Sequence, residues 1–363
     1  MNRSDLNRIR SHRGFPALSL RLPTHRRMPG ARQDPTRLKN LVRRAGLALQ
    51  EKGVTGAVVQ DYLRRLEAFQ RNLDYRYLEE GLCVFVSPER LEAVMLPEKV
   101  EEAVVVGETF LTRDLVRLLN RQPRYSLLVL SEKTARWFKG WGRQLVEDTG
   151  SPFPMADTAH PAAPPEGFNK GVDPQTHSNE RLRVFLRRVA EAVSTRQDAE
   201  KDAGWFLAGV ERLRSFYIAV SGGTPPSGQV DGNLDRAGTH QLWEAVAPEV
   251  ETWQRSRRQD ILDRFDALKG TREGIAGLEK VGEAAVMGKV EILLLENSYV
   301  IPGTFDRQTG KVQRHDGPRE ESAQEDVVDQ VLETVIGRGG EVVFYRDGRL
   351  ALAGAPIGAI LRF

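Results

Sequence analysis

The sequence has a single cysteine, Cys83, so it can form no internal disulfide; this suits a reducing compartment. No apolar run approaches the ~20 residues of a membrane-spanning helix. The first residues are basic, but no apolar stretch follows them as it would in a secretory signal. The expectation is a cytoplasmic protein with no membrane partner. The six histidines, at 12, 25, 160, 177, 240 and 315, are scattered, and none stands at metal-ligand spacing from another or from Cys83. No metal and no other cofactor is expected. The nearest mimic of a phosphate loop, Gly282 with Gly288-Lys289-Val290, has the wrong spacing and lacks the Ser or Thr that holds magnesium. A Gly-x-Ser-x-Gly elbow is also missing. The carboxylate pairs Glu79-Glu80, Glu101-Glu102 and Glu320-Glu321 are adjacent in sequence, and adjacent residues do not share a helix face. They read as solvated surface, so no catalytic residue is assigned and a non-enzyme is expected.

What is present is an ordinary globular composition, 40% apolar and 28% charged, over 363 residues, enough for two or three domains. The formal net charge is only +3, but it is unevenly laid out. Residues 1–46 carry eleven Arg and one Lys against Asp5 and Asp34, a net of +10, and the rest of the chain is then at −7. A basic arm on an acidic body points to an anionic partner, nucleic acid above all.

In Ala17–Leu22 the leucines at 18, 20 and 22 alternate as in a strand with one buried face. Asp34-Pro35 places a capping carboxylate before a proline suited to a first helical turn. Leu38, Leu41, Val42, Ala45 and Leu49 then make an apolar helical stripe. Arg37, Lys39, Asn40, Arg43 and Arg44 lie off that stripe, where guanidinium groups can pair with phosphates in two-pronged fashion. The candidate RNA-binding set is Arg21, His25, Arg26, Arg27, Arg32, Arg37, Lys39, Arg43 and Arg44. His25 has the titration range of a general base. With no neighbouring nucleophile or orienting carboxylate apparent in the sequence, it reads instead as a structural or RNA-contacting residue.

A helix through Val59–Leu73 and three apolar strands, 82–86, 91–96 and 103–106, close a first α/β domain near Gly107. There follow a helix over 111–120 and strands over 125–130, 134–141 and 143–148. Residues 150–178 hold six prolines and no period, and a loop of that length is functional or disordered. Ser178 or Asn179 is placed to cap the next helix, and 205–210 reads as a buried strand. A Gly/Pro-rich loop spans 221–238, and a helix-forming stretch runs from His240 to Lys269 with Pro248 as a break or fresh start. After about residue 250 the pattern predicts a helix over 275–287, strands over 291–295 and 299–305, a helix over 326–336 and strands over 342–345 and 359–363. Strands alternating with helices indicate layered α/β domains.

Three stretches resemble the bacterial branch of the archaeo-eukaryotic class-1 peptide release factor superfamily, which includes Pelota. The first is Leu22-Pro23-Thr24-His25-Arg26 with Gln33–Leu41. The second is Met287-Gly288-Lys289-Val290-Glu291-Ile292-Leu293-Leu294. The third is Gly358–Phe363. The resemblance implies three α/β domains: a basic N-terminal domain over 1–107, an RNase H-like middle domain over 108–249, and a C-terminal domain over 250–363. This last is expected to be an α/β/α layer like that of the kink-turn-binding ribosomal proteins. The implied setting is the ribosome and its RNA, at the site where tRNA or release factors enter, with a translational GTPase as partner. A monomer is expected.

Two departures stand out. Release factors of this kind carry Gly-Gly-Gln on the long loop of the middle domain, and the chain has no such tripeptide. The Asn-Ile-Lys-Ser element that reads stop codons is also missing. The resemblance therefore implies a non-hydrolytic factor of ribosome rescue, quality control or hibernation. Asn169 and Lys170 in the long loop would reach toward the peptidyl-transferase region. The alternatives are a metal-dependent RNA nuclease using carboxylates such as Glu147, Asp148 and Asp157, and a protein-binding scaffold.

Overall fold

The computed structural model describes residues 3–157, 174–199, 203–314, 326–346, 348–352 and 354–363. Helix α1 (Arg3–Arg10) is followed by strand β1 (Ala17–Pro23), helices α2 (Asp34–Glu51) and α3 (Gly56–Asn72), and strands β2 (Gly81–Val86), β3 (Leu91–Leu96) and β4 (Ala103–Gly107). The strands form one sheet in the order β3-β2-β1-β4, with β1 antiparallel to both neighbours. The alternating leucines of β1 and the stripe of α2 meet as the periods require. Leu18, Leu20 and Leu22 pack with Leu38, Leu41, Val42, Leu49 and, from α3, Tyr62 and Leu66. The Tyr62 hydroxyl donates to the Pro16 carbonyl at 2.7 Å, so the polar end of this buried ring is satisfied. The three apolar runs after α3 are strands as expected, but β4 lies beside β1 instead of β3.

Helix α4 (Arg113–Arg121) leads to β5 (Arg124–Leu130), β6 (Thr134–Trp141), β7 (Gln144–Glu147) and the two-residue β8 (Met155–Ala156). Then come α5 (Pro174–Ala199), β9 (Gly204–Gly209), α6 (Glu211–Ser221), β10 (Gly228–Asp231) and α7 (Thr239–Leu268). The sheet runs β10-β9-β5-β6-β7. The first three strands in chain order form an antiparallel meander, and β9 and β10 add in parallel beyond β5. This is the 3-2-1-4-5 order of an RNase H-like sheet. Both faces are covered, one by Phe185, Leu186, Val189 and Tyr217 of α5 and α6, the other by Leu242, Val246 and Val250 of α7. Gly140 is required here, because a side chain on it would collide with the Tyr125 ring.

Three expectations are corrected in this region. The helix after the long loop begins at Pro174, a turn before Ser178; proline suits a first helical position. The loop 221–238 contains the strand β10, whose one buried residue, Val230, is too little pattern to read. Pro248 neither breaks nor restarts α7, which runs unbroken for 30 residues.

The last segment contains β11 (Gly274–Ala276), α8 (Leu278–Val286), β12 (Val290–Glu296), β13 (Gly303–Phe305), β14 (Val312–Arg314), α9 (Val327–Gly337), β15 (Glu341–Tyr345), α10 (Arg349–Leu352) and β16 (Ile357–Leu361). Its sheet is ordered β11-β16-β12-β15, and β13 pairs with β14 as a separate hairpin. The final turns of α7 cover one face, with Ile261, Leu262 and Phe265 against Ile292, Leu294, Val343 and Ile360. The predicted helix over 275–287 is in fact a short strand and a helix, divided at Gly277. The predicted strand over 299–305 shrinks to its last three residues.

Residues 1–120 and 261–363 form one compact unit and residues 121–260 another. The first unit is tied together by buried polar groups. The Arg113 backbone N–H donates to Asp329 at 2.8 Å. Its guanidinium donates to Asp326 at 3.0 Å and to the carbonyls of Glu296 and Asn297 at 3.1 and 3.2 Å. Glu333 receives both the Thr112 hydroxyl and, at 2.9 Å, Arg10. Burial pushes Asp326 and Asp329 above the ordinary aspartate range, Asp329 further because Glu333 and Asp326 lie beside it. Charges taken out of water are costly unless paired, and Arg113 supplies the pairing.

Candidate nucleic-acid interface

The basic residues gather around the N-terminal end and outer face of α2. Strand β1 ends at Pro23, and Thr24 anchors the chain that follows. Its N–H donates to the Glu80 carbonyl at 3.0 Å and its hydroxyl to the Glu79 carbonyl at 2.7 Å. His25, Arg26 and Arg27 come next, and a turn of 3-10 helix over Gly30–Gln33 carries Arg32 into α2.

Asp34 is not the expected cap of α2. It is the first residue of the helix, Gln33 occupies the cap position, and the Asp34 carboxylate is fully buried. One oxygen accepts the His25 backbone N–H and the other accepts Nδ1 of the His25 ring, each at 2.9 Å. The orienting carboxylate that the sequence hides therefore exists, nine positions along the chain. Gly30 completes the seat: a Cβ there would lie 2.6 Å from the His25 ring carbons. The residues missed by sequence reasoning are thus Asp34, Gly30 and the Glu79-Glu80 segment. No local spacing rule links them to His25: β1–β2 pairing brings Glu79 and Glu80 beside it, and the 3-10 turn over Gly30–Gln33 folds Gly30 and Asp34 back onto it.

The other predicted residues separate into two groups. Arg27, Arg32, Lys39 and Arg43 are exposed and Arg37 is half-buried; among the described residues none of these five has an ion-pair or hydrogen-bonding side-chain partner. Arg26 is exposed and bonded to Glu79 at 3.0 Å, and Arg44 reaches Glu102 at 2.6 Å. Arg21 lies elsewhere. Its side chain is 17% exposed and bonded to Asp114 at 2.8 Å. Burial works against its charge, and the adjoining Asp114 carboxylate outweighs it, leaving the Arg21 pKa raised. Arg21 is therefore engaged inside the fold and adds nothing to the open face. Asn169 and Lys170 lie outside the described residues.

A depression of about 360 Å³ opens beside this cluster, lined by His25, Arg26, Arg27 and Glu80. Three residues before Glu80, Tyr77 is 73% exposed, with the Arg76 guanidinium 5.7 Å from the ring centre.

The carboxylates considered for metal-dependent cleavage are each ion-paired. Glu147 is held by Nε and Nη2 of Arg136 at 2.9 and 2.8 Å, and that pairing keeps its carboxyl below the usual range. Asp148 faces Lys139 and Arg196, and Asp157 faces Arg181. Among the described residues no group of three or more His, Cys, Asp or Glu side chains could hold a metal ion. No described helix is long and apolar enough to cross a membrane.

Residues 124–289 match the model of the bacterial archaeo-eukaryotic release factor family 3, which bears out on that segment the resemblance read from the sequence. No curated protein matches the chain. Among solved structures, the chain is similar to a ribosome-bound archaeal Pelota solved with ABCE1. Identity is 15%, with 78% of this chain and 77% of that chain covered and a TM-score of 0.43. Dom34 of S. cerevisiae, a translation termination-like factor involved in RNA quality control and interacting with Hbs1, is 14% identical, with coverages of 78% and 80% and a TM-score of 0.37. The archaeal translation termination factor aRF1 is 17% identical, with coverages of 100% and 99% and a TM-score of 0.25.

Proposed function

We propose, from a central segment similar to bacterial release factors of the archaeo-eukaryotic type, that this protein is a ribosome-associated factor that binds without hydrolysing. It would act in rescue, quality control or hibernation, at the site where tRNA or release factors enter. The observation that carries the binding half is the set of five cationic side chains, Arg27, Arg32, Arg37, Lys39 and Arg43, left unpaired among the described residues around one folded helix. Fixed cations without internal partners are what phosphate neutralisation uses. The non-hydrolytic half rests on the sequence, which has no Gly-Gly-Gln. A translational GTPase is the proposed protein partner, with the three-domain division at 107 and 250 as the working plan of the chain.

The test is co-sedimentation with ribosomes. The combined Arg27→Glu, Arg37→Glu and Arg43→Glu variant should lose pelleting, and the wild type should weaken with salt, its log-log slope falling by roughly one for each phosphate contact removed. Release of peptide from peptidyl-tRNA by the purified protein should stay at background. Unchanged pelleting of the triple variant, or release with turnover, would refute this reading. The nuclease alternative is not favoured, because Glu147, Asp148 and Asp157 are each held by a cation of the same chain.

A further inference from the structure

Resting on the ribosome-binding reading, we propose that the depression lined by His25, Arg26, Arg27 and Glu80 is a seat for one unpaired ribonucleotide of an RNA strand. Arg27 and the Nε2 of His25 take its phosphate, and the Glu80 carboxylate accepts its 2′-hydroxyl.

The His25 ring is fixed on two sides. The buried Asp34 carboxylate receives Nδ1 and the backbone N–H of the same residue, each at 2.9 Å. Gly30 leaves room for the ring where any side chain would collide with it. A carboxylate on Nδ1 makes that nitrogen the proton-bearing one and turns the other ring nitrogen outward. Nε2 has no partner among the described residues, and the ring lines the depression. When protonated, Nε2–H is a charge-assisted donor in a fixed direction.

Arg26 and Arg27 differ in availability. Arg26 is engaged by Glu79. Arg27 is exposed and unpaired among the described residues, so its fork is open to two phosphate oxygens. Glu80 decides the ligand class. Its chain position is fixed by the Thr24 N–H on its carbonyl, and the residue also lines the depression. A carboxylate repels a bare anion but accepts from a hydroxyl next to one, and the 2′-hydroxyl is the group that separates RNA from DNA. The exposed ring of Tyr77, three residues away and backed by Arg76, supplies a face on which an unpaired base can stack.

The experiment uses the full chain with ¹⁵N-labelled histidine. The His25 ring nitrogens are followed by NMR while a uridine-rich oligoribonucleotide, its deoxy counterpart, uridine monophosphate or inorganic phosphate is added. The ribo-oligonucleotide should move Nε2 of His25 while Nδ1 stays bonded to Asp34. Arg27→Ala should weaken RNA binding about tenfold, as expected for one charge-assisted contact. Glu80→Ala, which leaves no acceptor for the 2′-hydroxyl, should erase the preference for RNA over DNA and leave the circular dichroism spectrum unchanged. The proposal is overturned if RNA binds with His25 unmoved, if DNA moves it equally in the wild type, or if inorganic phosphate or the mononucleotide moves it as strongly as the strand. Pelleting with ribosomes while His25 stays unmoved would sink this site and leave the ribosome reading standing. A responsive His25 without pelleting would do the reverse.

Discussion

Asp34 gives up all contact with solvent and gains two hydrogen bonds to a single residue, His25. Asp34→Ala takes the acceptor from the His25 backbone N–H and ring, and should cost about 1–3 kcal/mol. Gly30→Ala should cost about 1–3 kcal/mol by forcing the ring out of its seat. Urea midpoints at constant m-value would check both. Nothing local in Thr24-His25-Arg26 announces the carboxylate, and Asp34 followed by proline resembles a helix cap. The residue type was legible and its use was not, because that use depends on the 3-10 turn that folds the chain back.

Among the elements, α9 and α4 meet through carboxylates that burial holds above the ordinary aspartate value of 3.8. Below that value folded and unfolded chains are both protonated. As pH rises, the unfolded chain ionises first and the folded one keeps its protons longer, so the unfolded state binds fewer protons and stability falls with rising pH. Asp329→Asn keeps an oxygen to accept the Arg113 N–H and removes the charge. The variant should lose part of that decline and be the more stable protein at pH 7, as measured by denaturation from pH 4 to pH 8. Helix α7 offers a second case. Pro248 sits inside it and is exposed, where it removes one backbone hydrogen bond of the helix. Pro248→Ala should therefore stabilise the helix by about 1–3 kcal/mol. A reading of the sequence that stops at Pro248 fails here because burial of Leu242, Val246, Val250, Ile261 and Phe265 on both sides of it outweighs the local penalty.

At the scale of the molecule the chain divides into 121–260 and the two flanking segments, and all five tryptophans, at 137, 141, 205, 243 and 253, belong to the first of these. Tryptophan fluorescence therefore reports one unit while far-ultraviolet circular dichroism reports both. The two probes should give non-coincident urea transitions, against the two-state rule for single domains. Asp329→Asn should move the dichroism curve and leave the fluorescence midpoint in place. Coincident transitions in every variant would show that the units unfold as one.

Periodicity alone determined most of the strands and helices of this protein, the outward placement of Lys39 and Arg43, and the concentration of positive charge near the start, because each follows from residues close together in the chain. Tertiary structure alone decided that Arg21 turns to Asp114, that Asp34 serves His25 and that β4 pairs with β1. It also decided that residues 1–120 and 261–363 share buried ion pairs. Apart from the Asp34–His25 contact, which a turn makes over nine residues, these outcomes depend on groups brought together by strand pairing and burial across tens to hundreds of residues, a distance over which local sequence pattern carries no register.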